Sequence, residues 1–347
     1  MNDGDFTKEA FELKFHEIYL RLTKYKEPVL IAAPVTFVLG GQPGAGKTGL
    51  QEIMKEKCNG NLIILNGDEF RELHPDFDKL QEKYGKDSVD YTGKFSGQMT
   101  EALINKLKAE HYNVLVEGTL RTSEVPLKTC ADFKTAGYNV ILGVIAVKPQ
   151  ISFLSTVLRY EKMIAAGKTP RATAKDKHDY VVAHIPENLQ KIYDSKLFDN
   201  ILIYNRNADC LYDMTQTPML SPSSIIQEVF SGTWTEQELS QFKSIGQVTE
   251  QLMELRNAPE LTDFKKNIFN EEIISSFPKK KTEIITPFFI EVKGIDKSEV
   301  KKMLDKHNIP NDPRKIKDGR IIVKIDRSDK EKAKELINAF AATKIKL

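Results

Sequence analysis

Short apolar runs alternate along the first 230 residues with longer segments in which apolar residues recur at helical spacing. The apolar runs show almost no polar alternation, and they are residues 35–39, 62–65, 114–116, 140–147 and 201–204. Unalternated runs of this length are typical of strands that are buried on both faces of a parallel sheet. The segments of helical spacing are residues 6–25, 48–58, 97–110, 126–136, 151–166 and 174–193. This pattern predicts an α/β fold with helices on both sides of a parallel sheet and functional groups at the carboxyl ends of its strands.

The first predicted strand leads into a glycine-rich loop. The loop is Gly41, Gln42, Pro43, Gly44, Ala45, Gly46, Lys47 and Thr48. The pattern G-x-x-x-x-G-K-[ST] is a phosphate-binding loop (P-loop), because glycine lets several backbone N–H groups face one anion. Lys47 supplies a charge for the outer phosphates, and the Thr48 hydroxyl supplies a ligand for Mg²⁺. The alternative, a glycine-rich turn that binds nothing, is disfavoured by the strand directly before the loop.

The pattern changes beyond about residue 232. Residues 235–257 predict a helix, and the proline and lysines of 278–282 indicate a linker. A small β-α-β-α unit is predicted from residues 288–292, 297–307, 320–325 and 330–340. We therefore expect a P-loop NTPase-like fold with a smaller C-terminal α+β domain. The expected segments are an N-terminal helix (1–30), the P-loop kinase domain (31–232), a helical segment and linker (233–282) and the small domain (283–347).

Composition and charge indicate which classes of protein the chain does not resemble. A formal net charge of +2 does not indicate a nucleic-acid-binding polyelectrolyte. No apolar stretch is long enough to span a bilayer, and the acidic N-terminus lacks the features of a signal peptide, so we expect a cytoplasmic protein without a membrane partner. The three cysteines, Cys58, Cys130 and Cys210, are far apart in sequence and are expected to be buried small apolar residues.

Asp68 follows the second predicted strand in the sequence Asn66-Gly67-Asp68. A carboxylate at this place would face the terminal phosphate held by Lys47. There it could accept the proton of an attacking hydroxyl or hold Mg²⁺ through water. The alternative role is an N-cap for the residues that follow. The context of the P-loop favours the functional role.

The third predicted strand ends in Glu117-Gly118-Thr119-Leu120-Arg121. An acidic residue at the end of an apolar strand is the Walker B position. An arginine four residues later is typical of a site whose substrate carries phosphates or hydroxyls. Glu117, Thr119 and Arg121 are therefore candidates to face an acceptor. The alternative is a structural ion pair between Glu117 and Arg121.

Two further arginines follow the fourth predicted strand. Arg159 lies in the next predicted helix, and Arg171 lies in a stretch that contains Gly167 and Pro170, as a mobile lid would. Phosphoryl transfer builds negative charge on the transferred group, and kinases often supply guanidinium groups from a lid to stabilise it. The alternative, two solvated surface arginines, stays open from the sequence.

The chain resembles the zeta toxins of bacterial toxin–antitoxin systems, the family that includes the Pez toxins. The matching stretches are residues 41–48, 66–70, 74–75, 99–102, 116–121, 159–161, 170–173 and 204–206. The resemblance implies a kinase that uses ATP and Mg²⁺ to phosphorylate the 3′-hydroxyl of the amino sugar of UDP-N-acetylglucosamine and so inhibits the synthesis of cell-wall precursors. It implies that Asp68 is the base, that Arg159 and Arg171 stabilise the γ-phosphate, and that the UDP-sugar pocket is lined by Glu101, Glu117, Thr119 and Arg121.

The resemblance ends near residue 230. In the two-component systems a separate antitoxin covers the nucleotide site, and we hypothesise that residues 235–257 or the C-terminal unit moderate activity in cis here. Two other functions stay open, a nucleotide-dependent switch and a polynucleotide kinase, each acting through the C-terminal domain. No N/T-K-x-D element of a GTPase follows any strand, and aromatic residues are sparse among the C-terminal basic residues. A UDP-sugar kinase is therefore favoured, and a nucleic-acid partner is not expected.

Overall fold

The computed structural model describes residues 3–218, 220–268, 288–292, 296–307, 309, 311–315, 321–325, 329, 332–333 and 335–338. The chain divides into two compact units, Met1–Phe277 and Pro278–Leu347. All the residues that were predicted to carry chemistry belong to the first unit.

A six-stranded sheet forms the centre of the first unit. Its strands are β1 (Val35–Gly40), β2 (Ile63–Leu65), β3 (Val114–Glu117), β4 (Asn139–Ile145), β5 (Asn200–Tyr204) and β6 (Cys210–Asp213). The strand order is β2-β3-β1-β4-β5-β6, and every neighbouring pair is parallel except β5 and β6. Val38 of β1 is paired with Val116 of β3 and with Leu142 of β4. The P-loop therefore leaves the sheet from a central strand with a parallel neighbour on each side.

Helices cover both faces of this sheet. They are α1 (Lys8–Thr23), α2 (Lys47–Lys57), α3 (Phe77–Tyr84), α4 (Val89–Ala109), α5 (Glu124–Lys134), α6 (Pro149–Ala165), α7 (Lys175–Ser195), α8 (Pro222–Ser231), α9 (Glu236–Leu255) and α10 (Leu261–Ile268). Two 3₁₀ helices, Gly67–Leu73 and Gly85–Ser88, lie before α4. The predicted α/β fold is confirmed. Strand β6 was not predicted, because it is a short edge strand with half of its residues exposed.

Two apolar layers separate the sheet from the helices. Val38 of β1 packs in one layer with Phe95 of α4, and the neighbouring residue Phe37 packs in the other layer with Leu50 of α2. This alternation is the period of two that a strand imposes on its side chains. Phe242 of α9 is 2% exposed and belongs to the second layer. Helix α9 is thus part of the first unit's core, although the sequence placed residues 233–282 outside the kinase domain.

The described residues of the second unit contain a three-stranded antiparallel sheet, one complete helix, and helical residues at 332–333 and 335–338 within the predicted helix 330–340. Strands β7 (Phe288–Val292), β8 (Asn311–Lys315) and β9 (Ile321–Ile325) lie in the order β7-β9-β8, and helix α11 is Lys297–Lys306. Val300, Leu304 and Val323 form part of its small core. Strand β8 was not predicted, because its sequence is polar and contains a proline. The predicted linker 278–282 lies outside the described residues, as does part of the predicted helix 330–340.

Two expectations from composition can be compared with the structure. No helix in the described ranges has both the length and the apolar character needed to cross a bilayer. All three cysteines are free: Cys130 is buried and Cys58 is half-buried. The prediction that all of them are buried is wrong for Cys210, which is exposed because it lies on the edge strand β6.

Candidate active site

A cleft of about 870 Å³ opens beside the P-loop, where strands β1, β2 and β3 end. Its walls come from the P-loop, the 3₁₀ helix after β2, helices α4, α5 and α6, and the segment before α7. Pro43 and Gly44 of the predicted P-loop line it. So do seven further predicted site residues, which are Lys47, Asp68, Glu101, Glu117, Thr119, Arg159 and Arg171. These residues are up to 124 positions apart in sequence, from Lys47 to Arg171, and the sheet topology brings them to one place.

The backbone of the P-loop requires glycine at its turns. Gly41, Gly44 and Gly46 have φ angles of 142°, 78° and 98°. A Cβ added to Gly44 would lie 2.0 Å from the carbonyl oxygen of Ser152 in α6, so the loop packs against that helix without space for a side chain. The Gln42 amide donates a hydrogen bond of 2.6 Å to the Val147 carbonyl and so ties the loop to the segment that follows β4.

Lys47 contacts Glu117 at the base of the cleft. Its Nζ lies 3.8 Å from Glu117 Oε1 and donates a hydrogen bond of 3.3 Å to the Gly41 carbonyl. Burial lowers the pKa of Lys47, and the opposite charge of Glu117 counteracts this effect. Burial raises the pKa of Glu117, while Lys47 and a hydrogen bond from the Gln51 amide act in the opposite direction. The described ion-pair partner of Glu117 is therefore Lys47 and not Arg121.

Asp68 lies at the start of the 3₁₀ helix Gly67–Leu73, directly after β2. The N-cap of this helix is Asn66, whose side-chain oxygen accepts a hydrogen bond from the Asp68 N–H at 3.1 Å. The alternative role of Asp68 as an N-cap is therefore wrong. Its carboxylate is 67% exposed in the cleft, and Arg71 Nε donates a hydrogen bond of 3.0 Å to Asp68 Oδ1.

Arg159 and Arg171 reach the cleft from α6 and from the segment between α6 and α7. Arg159 donates a hydrogen bond of 3.2 Å to the Thr173 hydroxyl, and Arg171 donates one of 3.4 Å to the Asp68 carbonyl. Arg159 is accessible from the open cleft, yet the surrounding protein desolvates its guanidinium and lowers its pKa. The positive charge of Arg171 lowers it further. The cleft thus combines two guanidinium groups with the Lys47 ammonium, a set suited to a polyanion.

The turn after β3 separates Thr119 from Arg121. Leu120 has a φ of 56°, which is unusual for a residue with a Cβ. The buried Asn188 amide of α7 donates hydrogen bonds of 3.0 Å and 2.9 Å to the carbonyls of Leu120 and Arg121. Thr119 lines the cleft, whereas Arg121 is exposed and does not line it.

Several cleft residues were not predicted from the sequence. They are Arg71, Ser96, Thr100, Asn105, Lys128, Thr129 and Asp132. All of them lie on helices, where a polar residue resembles any solvated surface position. Asp68 was predicted because it directly follows a strand, and that argument does not apply to residues on helices. Arg71 lies three positions after Asp68 and above it in the 3₁₀ helix, a relation that is visible only once the structure shows that helix.

Comparisons with known proteins find similar sequences and structures. The family profile described as Zeta toxin matches residues 21–217. Toxin PezT of Streptococcus pneumoniae is 41% identical over 239 residues, which are 69% of this chain and 93% of that protein. A structure from the PezAT toxin–antitoxin system of Streptococcus pneumoniae is 39% identical, with a TM-score of 0.68 over 73% of this chain and 100% of that chain.

A more distant structure shares the fold alone. It is a complex of AvrRxo1-ORF1 and AvrRxo1-ORF2 with ATP, 12% identical, with a TM-score of 0.51 over 79% of this chain and 91% of that chain. The fold is therefore found in a protein with little sequence in common with this chain.

Proposed function

Because the chain belongs to the zeta toxin family, we propose that it is an ATP-dependent kinase that phosphorylates the 3′-hydroxyl of the amino sugar of UDP-N-acetylglucosamine or a related UDP-sugar. The observation that carries the proposal is the presence of Asp68 in the same cleft as the P-loop Lys47 and two arginines. Phosphoryl transfer to an alcohol needs a phosphate-binding loop, a carboxylate and cationic groups. The fold itself is that of a P-loop kinase.

The P-loop would hold the triphosphate. Lys47 would contact the outer phosphates, and the N-terminus of α2 would add its positive dipole end. Oxygen donors near the loop suit Mg²⁺, since Thr48 lies in the first turn of α2 and the Asp68 carboxylate shares the cleft. A bound Mg²⁺ would neutralise phosphate charge.

Asp68 would act as the general base. The sugar hydroxyl oxygen would form a bond to the γ-phosphorus while the bond from that phosphorus to the β,γ-bridging oxygen breaks. The hydroxyl proton would pass to the Asp68 carboxylate, and ADP would leave. Arg159 and Arg171 would stabilise the charge that develops on the transferred phosphoryl group.

Glu101, Glu117 and Thr119 would form the acceptor side of the site. Carboxylates can accept hydrogen bonds from sugar hydroxyls and from an amide N–H, a hydroxyl can accept and donate them, and these three side chains line the cleft. Arg121 does not share this wall, so we assign the acceptor site to the other three residues.

We place the reaction in the cytoplasm and propose that an antitoxin protein restrains it. The similarity to a PezAT toxin–antitoxin structure supports a protein partner. Uncontrolled activity would deplete a precursor of the cell wall and so act as a toxin.

Mass spectrometry can test the proposal directly. The protein would be incubated with Mg-ATP and a panel of UDP-sugars, and we expect one added phosphate on UDP-N-acetylglucosamine. Asp68→Asn should keep ATP affinity and lower the rate by about 10² to 10⁴. The control Asp263→Asn changes an exposed residue of α10 and should keep the wild-type rate.

Two results would contradict the assignment. A wild-type rate for Asp68→Asn would exclude Asp68 as the general base. ATP hydrolysis without phosphate on any sugar would favour the nucleotide-dependent switch instead.

A further inference from the structure

Arg71 connects Asp68 to helix α4. Its Nε donates to Asp68 Oδ1 at 3.0 Å, and its Nη1 donates to the Val89 carbonyl at 2.7 Å and to the Thr92 hydroxyl at 3.4 Å. Residues three apart lie above one another in a 3₁₀ helix, which is why the Arg71 side chain reaches Asp68. One guanidinium therefore joins the cleft carboxylate to the first turn of a long helix.

This ion pair differs from an ordinary surface pair. Exposed pairs contribute little because both side chains lose freedom to form them. The Arg71 side chain is only 25% exposed, and its guanidinium is held by a backbone carbonyl of α4 and by Thr92, which is itself buried. A Cβ added to Gly93 would lie 3.5 Å from Arg71 Nη1, an ordinary contact distance, so this part of α4 packs directly beside the guanidinium. The arginine is thus fixed, whereas the Asp68 carboxylate is 67% exposed.

We propose that Arg71 is a positioning residue for Asp68. It binds Oδ1 and thereby selects one orientation of the carboxylate, in which Oδ2 is left for the acceptor hydroxyl. Within the described part of the chain, Arg71 is the only side chain that donates a hydrogen bond to this carboxylate. The inference rests on the proposed kinase function, because it concerns the base of that reaction.

A second cavity makes the idea testable by chemical rescue. This cavity, of about 630 Å³, lies between the 3₁₀ helix and the segment of residues 167–172, and Arg71 lines it as well as the main cleft. In Arg71→Ala the space of the guanidinium would be open to solvent from both sides. A free guanidinium ion could then enter and bind Asp68.

The experiment compares steady-state kinetics of the wild type, Arg71→Ala and Arg71→Lys, with and without non-denaturing guanidinium chloride. Sodium chloride at the same concentration controls for ionic strength. For Arg71→Ala we expect kcat to fall about 10- to 100-fold, since small misplacements of a catalytic group have effects of this size. KM for ATP should change less than about twofold, and guanidinium should restore part of kcat. Lysine should not substitute fully, because one ammonium cannot replace the fork of the guanidinium.

Arg21→Ala serves as the matched control, since Arg21 is an exposed arginine at the end of α1, and it should show neither loss nor rescue. If the wild type transfers phosphate and Arg71→Ala has the same kcat, the positioning role is overturned and the proposed kinase function still stands. Loss of kcat without rescue, together with a lower melting temperature, would show a merely structural role. A wild type that transfers no phosphate would contradict the proposed function.

A crystal structure of Arg71→Ala decides the positioning question without any activity. We expect the Asp68 carboxylate to occupy more than one rotamer in the variant. A single, unchanged Asp68 rotamer would overturn the inference even if the kinase reaction proved different from the one proposed.

Discussion

At the scale of single residues, Gly44 shows how closely the P-loop packs against α6. Its φ of 78° lies in the left-handed region, and the Ser152 carbonyl oxygen and Thr156 Cγ2 lie 2.0 Å and 2.8 Å from the position of an added Cβ. Left-handed backbone costs a residue with a Cβ about 1–2 kcal/mol, and the backbone contact adds to this cost. The loop therefore tolerates only glycine at this position.

We expect Gly44→Ala to weaken ATP affinity at least about tenfold and to lower the melting temperature, because the loop must shift away from α6. Gly49→Ala is the matched control. Gly49 lies inside α2 with nothing within 4 Å of an added Cβ, so alanine should raise stability slightly. Calorimetric titration with ATP and thermal unfolding would measure both effects. Equal ATP affinity in the two variants would contradict the packing argument.

His178 makes stability depend on pH. Its side chain is 0% exposed, Nε2 lies 2.9 Å from Ser152 Oγ, and Nδ1 lies 3.1 Å from Asp179 Oδ1. Burial lowers the pKa of His178, and the Asp179 carboxylate opposes this only partly. The folded protein thus takes up the proton at lower pH than the unfolded chain, whose histidines titrate near pH 6.5. Between the two values the unfolded chain binds more protons, so acidification destabilises the fold.

We expect the melting temperature to fall as the pH is lowered below about 6.5, and to fall less in His178→Gln. His16→Gln changes an exposed histidine of α1 and should keep the wild-type pH dependence. Thermal unfolding at a series of pH values measures this. The same slope in His178→Gln and the wild type would show that another group causes the dependence.

At this scale the sequence indicates best the position of a residue at or just after the end of a strand. Lys47, Asp68, Glu117 and Thr119 all line the cleft, because the carboxyl ends of parallel strands meet at one edge of the sheet. Arg121 follows the same strand but does not line the cleft, and the sequence did not indicate the left-handed conformation of Leu120 directly before it. Positions of this kind depend on tertiary contacts such as those of Asn188.

At the scale of elements, α6 contributes to the site from one face and to the core from another. Arg159 lines the cleft, while Glu161 is 1% exposed and receives a bidentate ion pair from Arg256 at 2.7 Å and 2.8 Å. Arg256 directly follows α9 and lies beyond the residues that the family profile matches. The ion pair fixes the position of α6 against α9. It thereby also fixes the backbone position from which the Arg159 side chain extends.

We expect Arg256→Leu to lower the free energy of unfolding by about 3–5 kcal/mol, because it leaves the Glu161 carboxylate buried without its partner. The double variant Glu161→Leu, Arg256→Leu should regain most of this loss, since no buried charge remains. Urea unfolding of the wild type, both single variants and the double variant measures the coupling. Additive effects of the two single changes would show that the pair does not act as a unit.

The elements that the sequence predicted share a strong pattern. The five parallel strands were found because strands buried on both faces have no polar positions. The edge strand β6, the polar strand β8 and the 3₁₀ helix that carries Asp68 lack such a pattern, and only their tertiary contacts define them. The strands that border the candidate site are therefore easier to predict from sequence than the elements at the edges of the fold.

At the scale of the whole molecule, the boundary between the two units decides where a regulator in cis could lie. Residues 235–257 were one candidate, but Trp234 and Phe242 are 4% and 2% exposed and pack in the layer that contains Leu39 and Leu50. A helix that completes the core beside the P-loop cannot leave it without exposing that core. Regulation in cis is thus a hypothesis for residues 278–347 only.

Two truncated chains distinguish regulation by residues 278–347 from the contribution of α9 to the core. A chain that ends at residue 277 keeps both apolar layers of the first unit, so we expect it to fold, with ATP affinity within about twofold of the full chain. A chain that ends at residue 234 loses α9 and the ion pair of Glu161 with Arg256, and it should unfold at a much lower temperature or aggregate. If residues 278–347 restrain the kinase, kcat of the 1–277 chain rises. An unchanged kcat with intact ATP binding would exclude that restraint, and a stable, fully active 1–234 chain would contradict the assignment of α9 to the core.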